Sequence, residues 1–226
     1  MEKAARVGQA ARMISANLRV PPPLNEPVKS YAPGSAERSE LKATLARMAG
    51  ERPEIAVRIG SKDLRTGKVD TIRSPHRHSQ VLGTFHEAGA DEATAAITAA
   101  MAAKRSWSSM AFTDRAAIFL RAAELLTTKY RPLLNAATML GQSKTAFQAE
   151  IDAACEAIDF LRFNVHFAQT LLDQQPLSAP GIWNQTDYRP LDGFVFAIAP
   201  FHFTAIALNL CTATASMGNV VLLKPA

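Results

Sequence analysis

The chain has 226 residues, of which 48% are hydrophobic and 20% are charged, and its formal net charge is +5. This composition supports one substantial hydrophobic core and excludes a chain that is disordered throughout. The basic residues are scattered without interleaved aromatic residues, so no nucleic-acid partner is predicted, and the apolar runs are too short to predict a membrane span.

The first 24 residues are rich in basic and small side chains and contain a single acidic residue, Glu2. They end in three consecutive prolines at 21–23. A basic, acid-poor leader is typical of a mitochondrial transit segment, and we predict that role for residues 1–24. The alternative is a frayed basic N-terminus without a targeting role. The basic residues concerned are Lys3, Arg6, Arg12 and Arg19.

The segment after the leader predicts a helix and then a pair of strands. A helix over 35–48 places its leucines on one face after a weak cap at Ser35. Two runs that contain β-branched residues, at 55–59 and 69–72, are separated by a polar turn and predict a strand pair packed against later helices.

Neither a metal centre nor a disulfide is predicted. His76 and His78 form a His-x-His motif, but further ligands at metal-binding spacing are missing, so we interpret the motif as part of a solvated loop. The two cysteines, Cys155 and Cys211, lie on apolar helical stripes far from any cation in the sequence pattern. We therefore predict structural cysteines with unactivated thiols.

Four consecutive helices are predicted in the middle of the chain. An alanine-rich helix over 91–106 has Asp91 as its cap, and a second helix begins after a cap at Thr113. A third helix opens at Pro132, since proline is tolerated in the first turn. The fourth spans 144–173 and has one continuous apolar face.

The C-terminal part predicts a strand, a helix and a parallel strand. The apolar run at 194–199 is typical of a strand buried on both faces of a parallel sheet. The apolar segment 204–217 predicts a crossover helix that ends at Gly218, and 220–223 predicts the second strand. Ligands bind at the carboxyl ends of such strands.

Several motifs make this chain resemble the NAD(P)-dependent aldehyde dehydrogenase superfamily. The resemblance extends from about residue 25 to residue 226 and is greatest to the branch of delta-1-pyrroline-5-carboxylate dehydrogenases, which oxidise glutamate semialdehyde. One departure is His202, which stands where the family has asparagine. The motifs are Gln-Ala-Glu-Ile-Asp-Ala-Ala at 148–154, Ile-Asp-Phe-Leu-Arg-Phe-Asn at 158–164, Ala-Pro-Phe-x-Phe-Thr-Ala-Ile at 199–206 and Gly-Asn-Val-Val-Leu-Leu-Lys-Pro at 218–225.

The resemblance implies an α/β fold: the N-terminal part of the aldehyde dehydrogenase fold, with helices and the start of a parallel Rossmann-like sheet. Residues 25–226 would form the N-terminal part of the NAD-binding domain. A segment near 176–190, with a loop at 176–184 and a strand candidate at 185–189, would be an oligomerisation arm. The catalytic domain, with the family's nucleophilic cysteine and its base, would lie beyond residue 226, so we expect this chain to be truncated and inactive alone.

The resemblance also assigns site residues. His202 occupies the position of the asparagine that donates a hydrogen bond to the reaction oxyanion. Its imidazole either replaces that donor or fails to reach the oxyanion, and both alternatives stay open. The sequence position of Glu156 matches a substrate-tunnel residue, although a solvated or salt-bridged helix residue is the alternative. The cofactor-binding residues would be Ala199, Pro200, Phe201 and Lys224, and the substrate-binding residues Glu156 and Phe203.

The implied reaction is NAD-dependent oxidation of L-glutamate γ-semialdehyde to L-glutamate in proline catabolism. A small-molecule aldehyde is the expected partner, together with further copies of the same protein in a homo-oligomer. We expect the mitochondrial matrix as its location, and otherwise the cytoplasm. The alternatives are an aldehyde dehydrogenase of other substrate range, or a non-catalytic fragment that associates with full-length subunits.

Overall fold

The computed structural model describes residues 18–226, so most of the predicted leader lies outside the described residues. Residues 18–35 form no helix or strand but follow the surface of a long helix. The backbone N–H groups of Glu26 and Lys29 donate hydrogen bonds of 2.7 Å to the carboxylates of Asp159 and Glu150 on that helix. The N-terminal segment 18–35 is therefore attached to the long helix by hydrogen bonds from its backbone.

The first helix is confirmed at Ala36–Gly50 (α1). The hydroxyl of Ser35 accepts a hydrogen bond from the backbone N–H of Arg38, which satisfies one of the free donors at the helix start. Leu41 is buried against Tyr31 and Ala136, in a small apolar cluster that joins the N-terminal segment 18–35 to a later helix. The predicted cap and apolar face are both correct.

Five short strands follow, and their pairing differs from the predicted one. The strands are Glu54–Ile55 (β1), Val57–Ile59 (β2), Lys62–Leu64 (β3), Val69–Ser74 (β4) and Arg77–His86 (β5). β2 pairs with β3 in a hairpin, whereas β5 lies between β1 and β4. The predicted pairing of the first run with 69–72 is wrong, because the ten-residue strand β5, which begins within the loop predicted around His76 and His78, takes the central place.

Gly83 explains how β5 reaches β1. The backbone N–H of Thr84 donates to the carbonyl oxygen of Pro53 over 2.9 Å. A Cβ atom on Gly83 would lie 2.6 Å from the same carbonyl oxygen, so any other residue would push the two strands apart. The close approach depends on a contact between distant parts of the chain, which strand periodicity does not reveal.

The helices Ala90–Ser109 (α2) and Phe112–Thr127 (α3) are confirmed, but their predicted caps are wrong. α2 starts after Gly89, whose N–H donates to the carboxylate of Glu92 over 2.7 Å, and Asp91 lies inside the first turn. α3 starts after Ala111, and Thr113 lies inside its first turn. In both helices an acidic residue in the first turn interacts favourably with the helix dipole. Each helix therefore begins earlier than predicted, after a residue whose side chain makes no capping hydrogen bond.

The next helices run from Arg131–Gln142 (α4) through a nearly continuous helical segment that ends at Asp173. Proline in the first turn of α4 confirms the predicted start. The long helix is confirmed as well, but it contains a π-helical turn at Glu150–Cys155 between Ala146–Ala149 (α5) and Glu156–Asp173 (α6). The wider turn brings Glu150 and Cys155 to the same guanidinium group, that of Arg131.

Two features hold this helical layer together. Apolar residues of α3 and α6, including Phe119, Ile158 and Val165, form the main core, and Val20 from the N-terminal segment 18–35 packs against it. Beside the core, the buried guanidinium of Arg131 pairs with the carboxylates of Glu26 and Glu150. Burying an isolated charge is costly, so these three groups depend on one another.

The C-terminal strand, helix and parallel strand are confirmed at Val195–Ile198 (β6), Thr204–Ser216 (α7) and Val221–Lys224 (β7). Gly218 ends the helix region with a φ of +86°. The expected burial of β6 on both faces is wrong for this chain. Phe196 and Ile198 are 56% and 61% exposed, because helices cover only the opposite face of the two strands.

The segment between α6 and β6 is irregular and strongly exposed. A single bridge joins Ala179 to Ile182, and the strand predicted at 185–189 is not formed. Leu177 and Trp183 are 92% and 87% exposed. A strand needs a hydrogen-bonding neighbour, and within residues 18–226 no strand lies beside 185–189.

Candidate functional site

The turn between β6 and α7 lies beside the end of β7. In the parallel pair, Ile198 is opposite Lys224, and the backbone N–H of Ala199 donates to the carbonyl oxygen of Lys224 over 3.0 Å. Both strands therefore end at the same edge of the sheet. The structure thus brings Ala199, the start of the predicted turn, together with Lys224, as expected for the carboxyl ends of parallel strands.

Side chains at this edge are open to a ligand. Phe201 is 79% exposed, and Lys224 is exposed as well, while Ala199 is buried and contributes backbone. Pro200 is half-buried and ends β6, since proline has no N–H to continue the strand pairing. This edge therefore exposes the ring of Phe201 and the side chain of Lys224 to solvent.

His202 lies at the tip of the turn and is exposed. Its ring is in edge contact with its two neighbours, with centroid distances of 5.0 Å to Phe201 and 5.1 Å to Phe203. Among the described residues, no side chain or backbone group forms a hydrogen bond with its imidazole, so a ring N–H is available to a ligand.

The start of α7 is locked onto α4. The hydroxyl of Thr204 lies 2.9 Å from the hydroxyl of Thr138 and accepts a hydrogen bond of 3.0 Å from the side-chain amide of Gln142. Phe203 immediately precedes Thr204 and is half-buried. These contacts fix the position of the turn that carries His202 and Phe203.

Phe203 leads from the turn to a group of charged residues. The ammonium group of Lys144 lies 4.0 Å from the centroid of the Phe203 ring and 2.8 Å from the carboxylate of Asp152. Asp152 belongs to the π-helical turn, and Glu156 opens α6 on its C-terminal side. Lys144 was not among the predicted site residues, and its one signal in the sequence is its position directly before the helix-capping pair Thr145 and Gln148.

Glu156 is half-buried and has an unusual environment. Its Oε2 atom is buried, and among the described residues no hydrogen-bond donor reaches it. Burial raises the pKa of Glu156, the neighbouring charge of Asp152 adds to this, and Lys144 opposes it. Within residues 18–226 Glu156 forms no ion pair, so this buried carboxylate oxygen is left without a compensating partner in the described part of the chain.

Both cysteines are unsuited to nucleophilic attack. Burial raises the pKa of Cys155 to about 12, and the nearby carboxylate of Glu150 adds to this. Burial also raises the pKa of Cys211. A thiol attacks as its thiolate, so neither residue is activated near neutral pH.

The described residues contain no group of three or more histidine, cysteine and acidic side chains that could hold a metal ion. His76 instead lies 2.8 Å from the hydroxyl of Ser143 through its Nδ1 atom. In the described part of the chain, no helix is long and apolar enough to cross a bilayer.

Comparisons with known proteins all identify relatives among the aldehyde dehydrogenases. Residues 64–226 match the aldehyde dehydrogenase family. The chain is 50% identical over 213 residues to a delta-1-pyrroline-5-carboxylate dehydrogenase of Agaricus bisporus, covering 93% of this chain and 39% of the relative. A mitochondrial delta-1-pyrroline-5-carboxylate dehydrogenase of Homo sapiens is 46% identical over 201 residues, covering 89% of this chain and 36% of the relative.

Solved structures agree in fold. The NAD-bound crystal structure of the delta-pyrroline-5-carboxylate dehydrogenase from Mycobacterium tuberculosis superposes with a TM-score of 0.92 at 52% identity, covering 94% of this chain and 40% of that one. A 1-pyrroline-5-carboxylate dehydrogenase from Thermus with bound NAD gives a TM-score of 0.84 at 30% identity, covering 92% of this chain and 40% of that one. The chain therefore spans about two fifths of the length of the relatives it matches.

Proposed function

The chain belongs to the aldehyde dehydrogenase family, and from this premise we propose that it forms the N-terminal part of an NAD-dependent dehydrogenase. The proposed substrate is L-glutamate γ-semialdehyde, the open form of 1-pyrroline-5-carboxylate, and the product is L-glutamate. Relatives from Agaricus bisporus, Homo sapiens and Mycobacterium tuberculosis, all 46–52% identical, are named as pyrroline-5-carboxylate dehydrogenases.

One observation carries the proposal. The register of β6 and β7 brings the turn of residues 199–203 to the side of Lys224, at a single open edge of the sheet. A dinucleotide and an aldehyde must meet at one place for hydride transfer, and the carboxyl ends of parallel strands are where such ligands bind.

The residues at this edge fit a dinucleotide. The exposed ammonium group of Lys224 can donate to the hydroxyls of a ribose, and the exposed ring of Phe201 offers an apolar surface. Ala199 and Pro200 supply rigid backbone next to it. When bound, NAD would accept the hydride from the substrate, which is chemistry that no amino-acid side chain provides.

His202 is proposed to stabilise the negative charge that develops on the aldehyde oxygen. Its imidazole is exposed and, within the described chain, makes no hydrogen bond, so a ring N–H is free to donate. The attacking thiolate is not supplied by Cys155 or Cys211, because burial keeps both protonated near neutral pH. This chain would thus contribute the oxyanion donor but not the nucleophile.

The substrate side of the site is proposed to consist of Phe203 and Glu156. Phe203 follows His202 directly, and Glu156 opens α6 with a buried carboxylate oxygen that lacks a partner in the described structure. A polar semialdehyde can use both an aromatic wall and a carboxylate. An unbranched apolar aldehyde can use only the former.

We further propose that the complete protein forms a homo-oligomer through the exposed arm near 176–190, and that it acts in the mitochondrial matrix. Trp183 and Leu177 in the arm are almost fully exposed, which favours contact with a partner. Several relatives, among them those of Dictyostelium discoideum and Homo sapiens, are named as mitochondrial. Fusion of residues 1–30 to a reporter tests the location, and a wholly cytosolic reporter would contradict it.

Turnover by the complete protein tests the catalytic proposal. With NAD and glutamate semialdehyde we expect NADH formation, followed by absorbance, and with His202→Ala we expect kcat to fall roughly 100- to 1,000-fold, as for loss of one oxyanion donor. The KM for NAD should stay unchanged, because the oxyanion forms only in the transition state. His202→Asn keeps a donor and serves as the matched control. Equal rates for all three variants would remove position 202 from the oxyanion site.

A further inference from the structure

Lys144 occupies a tightly specified position between two helices. Ser143, the residue directly after α4, has a φ of +57°, a conformation that non-glycine residues rarely adopt. α5 begins directly after Thr145, whose hydroxyl accepts from the N–H of Gln148 over 3.2 Å, while Gln148 accepts from the N–H of Thr145 over 2.9 Å. The backbone on both sides of Lys144 is therefore fixed.

The side chain of Lys144 is unusually buried for a lysine, with 13% of its surface exposed. A buried ammonium group requires compensation, and Lys144 has two partners. It pairs with Asp152 over 2.8 Å and lies 4.0 Å from the centre of the Phe203 ring. One face of this ring is thus held by a cation, which is a favourable arrangement for an aromatic quadrupole.

Lys144 also acts electrostatically on Glu156. Burial and the charges of Asp152 and Asp159 raise the pKa of Glu156, and Lys144 is the group that opposes them. Glu156 has no hydrogen-bond donor at Oε2 within the described residues, so this cation has more influence than it would beside a saturated carboxylate.

We propose that Lys144 is a positioning and specificity-determining residue. It holds the ring of Phe203 in place and pairs with Asp152, four residues before Glu156, so that the site prefers a polar, zwitterionic semialdehyde over an apolar aldehyde of equal length. This inference rests on the proposed function, in which Phe203 and Glu156 line the substrate site.

Kinetics of the complete dehydrogenase with Lys144→Met test the specificity. We expect the KM for glutamate semialdehyde to rise about tenfold, equivalent to about 1.4 kcal/mol. The KM for pentanal, which has the same number of carbons, should rise by a smaller factor, because this aldehyde depends on the positioned ring of Phe203 but has no polar group for Glu156 to contact. Lys144→Arg keeps the charge and should stay near the parent, and Lys42→Met, at an exposed lysine of α1, is the matched control.

A second measurement does not depend on activity. Infrared spectra recorded as a function of pH show the bands of protonated carboxyl groups. The band that disappears in the Glu156→Gln variant is assigned to Glu156. In Lys144→Met this band should persist to higher pH than in the parent, because the charge that opposes protonation is gone. If the parent does not oxidise glutamate semialdehyde, the proposed function fails, and the infrared titration decides the role of Lys144 alone.

Two results would overturn the inference. The first is an unchanged infrared titration of Glu156 in Lys144→Met. The second is an equal rise of the KM for glutamate semialdehyde and for pentanal, since a merely structural lysine would affect both aldehydes alike.

Discussion

Replacement of Glu150 by glutamine is the sharpest test of how this chain is held together. Glu150 is fully buried and accepts hydrogen bonds from the backbone N–H of Lys29 at 2.7 Å and from Tyr31 and Asn135 at 2.8 Å. It also pairs with the buried guanidinium of Arg131. Glu150→Gln keeps the size of the side chain and removes its charge.

The expected loss follows from the surroundings of Arg131. Its side chain is 2% exposed, and among residues 18–226 the change leaves Glu26 as its one buried carboxylate partner. Removal of one partner from a buried ion pair costs about 3–5 kcal/mol, because the remaining charge stays away from water. For a chain of this length each kcal/mol lowers the midpoint of thermal unfolding by roughly 2–4 °C.

Fluorescence is a suitable assay because the chain has two tryptophans. Trp183 is 87% exposed, and its change to phenylalanine leaves Trp107, which packs edge-on against Phe119 in the core, as the reporter. Unfolding is measured at low chain concentration so that association contributes little. Glu124→Gln, in an exposed pair with Arg121, is the control and should leave the midpoint almost unchanged.

The pH dependence supplies a further check on Glu150. Burial opposes its ionisation, but the guanidinium of Arg131 and the surrounding donors hold its pKa below the usual range. A lowered pKa means that the stabilising contribution is present above the pKa of the unfolded chain and is lost as the pH falls through the lower, folded value. Glu150→Gln should therefore show less acid destabilisation than the parent. A loss below about 1 kcal/mol, with an unchanged pH profile, would refute the reasoning.

Three further predictions concern the thiols, the open sheet face and the turn after α7. Cys155 and Cys211 should be alkylated at pH 7 far more slowly than in the unfolded chain, because burial raises both pKa values; equal rates by mass spectrometry would contradict this. The exposed side chains of Phe196 and Ile198 should cause self-association, and Ile198→Lys should shift sedimentation towards the monomer; an unchanged distribution would oppose the idea. Gly218→Ala should cost about 1–2 kcal/mol in urea unfolding, because the φ of +86° disfavours a side chain, whereas an unchanged stability would show that the turn relaxes.

Local patterns were sufficient to predict most of the elements. The apolar run before Pro200, the long apolar helix and the glycine at 218 each act over a few neighbouring residues, so the parallel unit of β6, α7 and β7 was visible in the sequence. The resemblance added the identity of the turn at 199–203. The cap positions of α2 and α3 could not be predicted from capping side chains, because the residues at these positions, Gly89 and Ala111, have none.

The sequence by itself thus determined the order of the helices, the parallel strand pair and the family, since these depend on periodicity and on short motifs. The tertiary structure alone decided that β5 lies between β1 and β4, that Glu26, Arg131 and Glu150 form one buried network, and that Lys144 faces both Phe203 and Asp152. Strand register and charge compensation join residues that are far apart in the chain, and their free energy depends on burial, which local patterns do not encode.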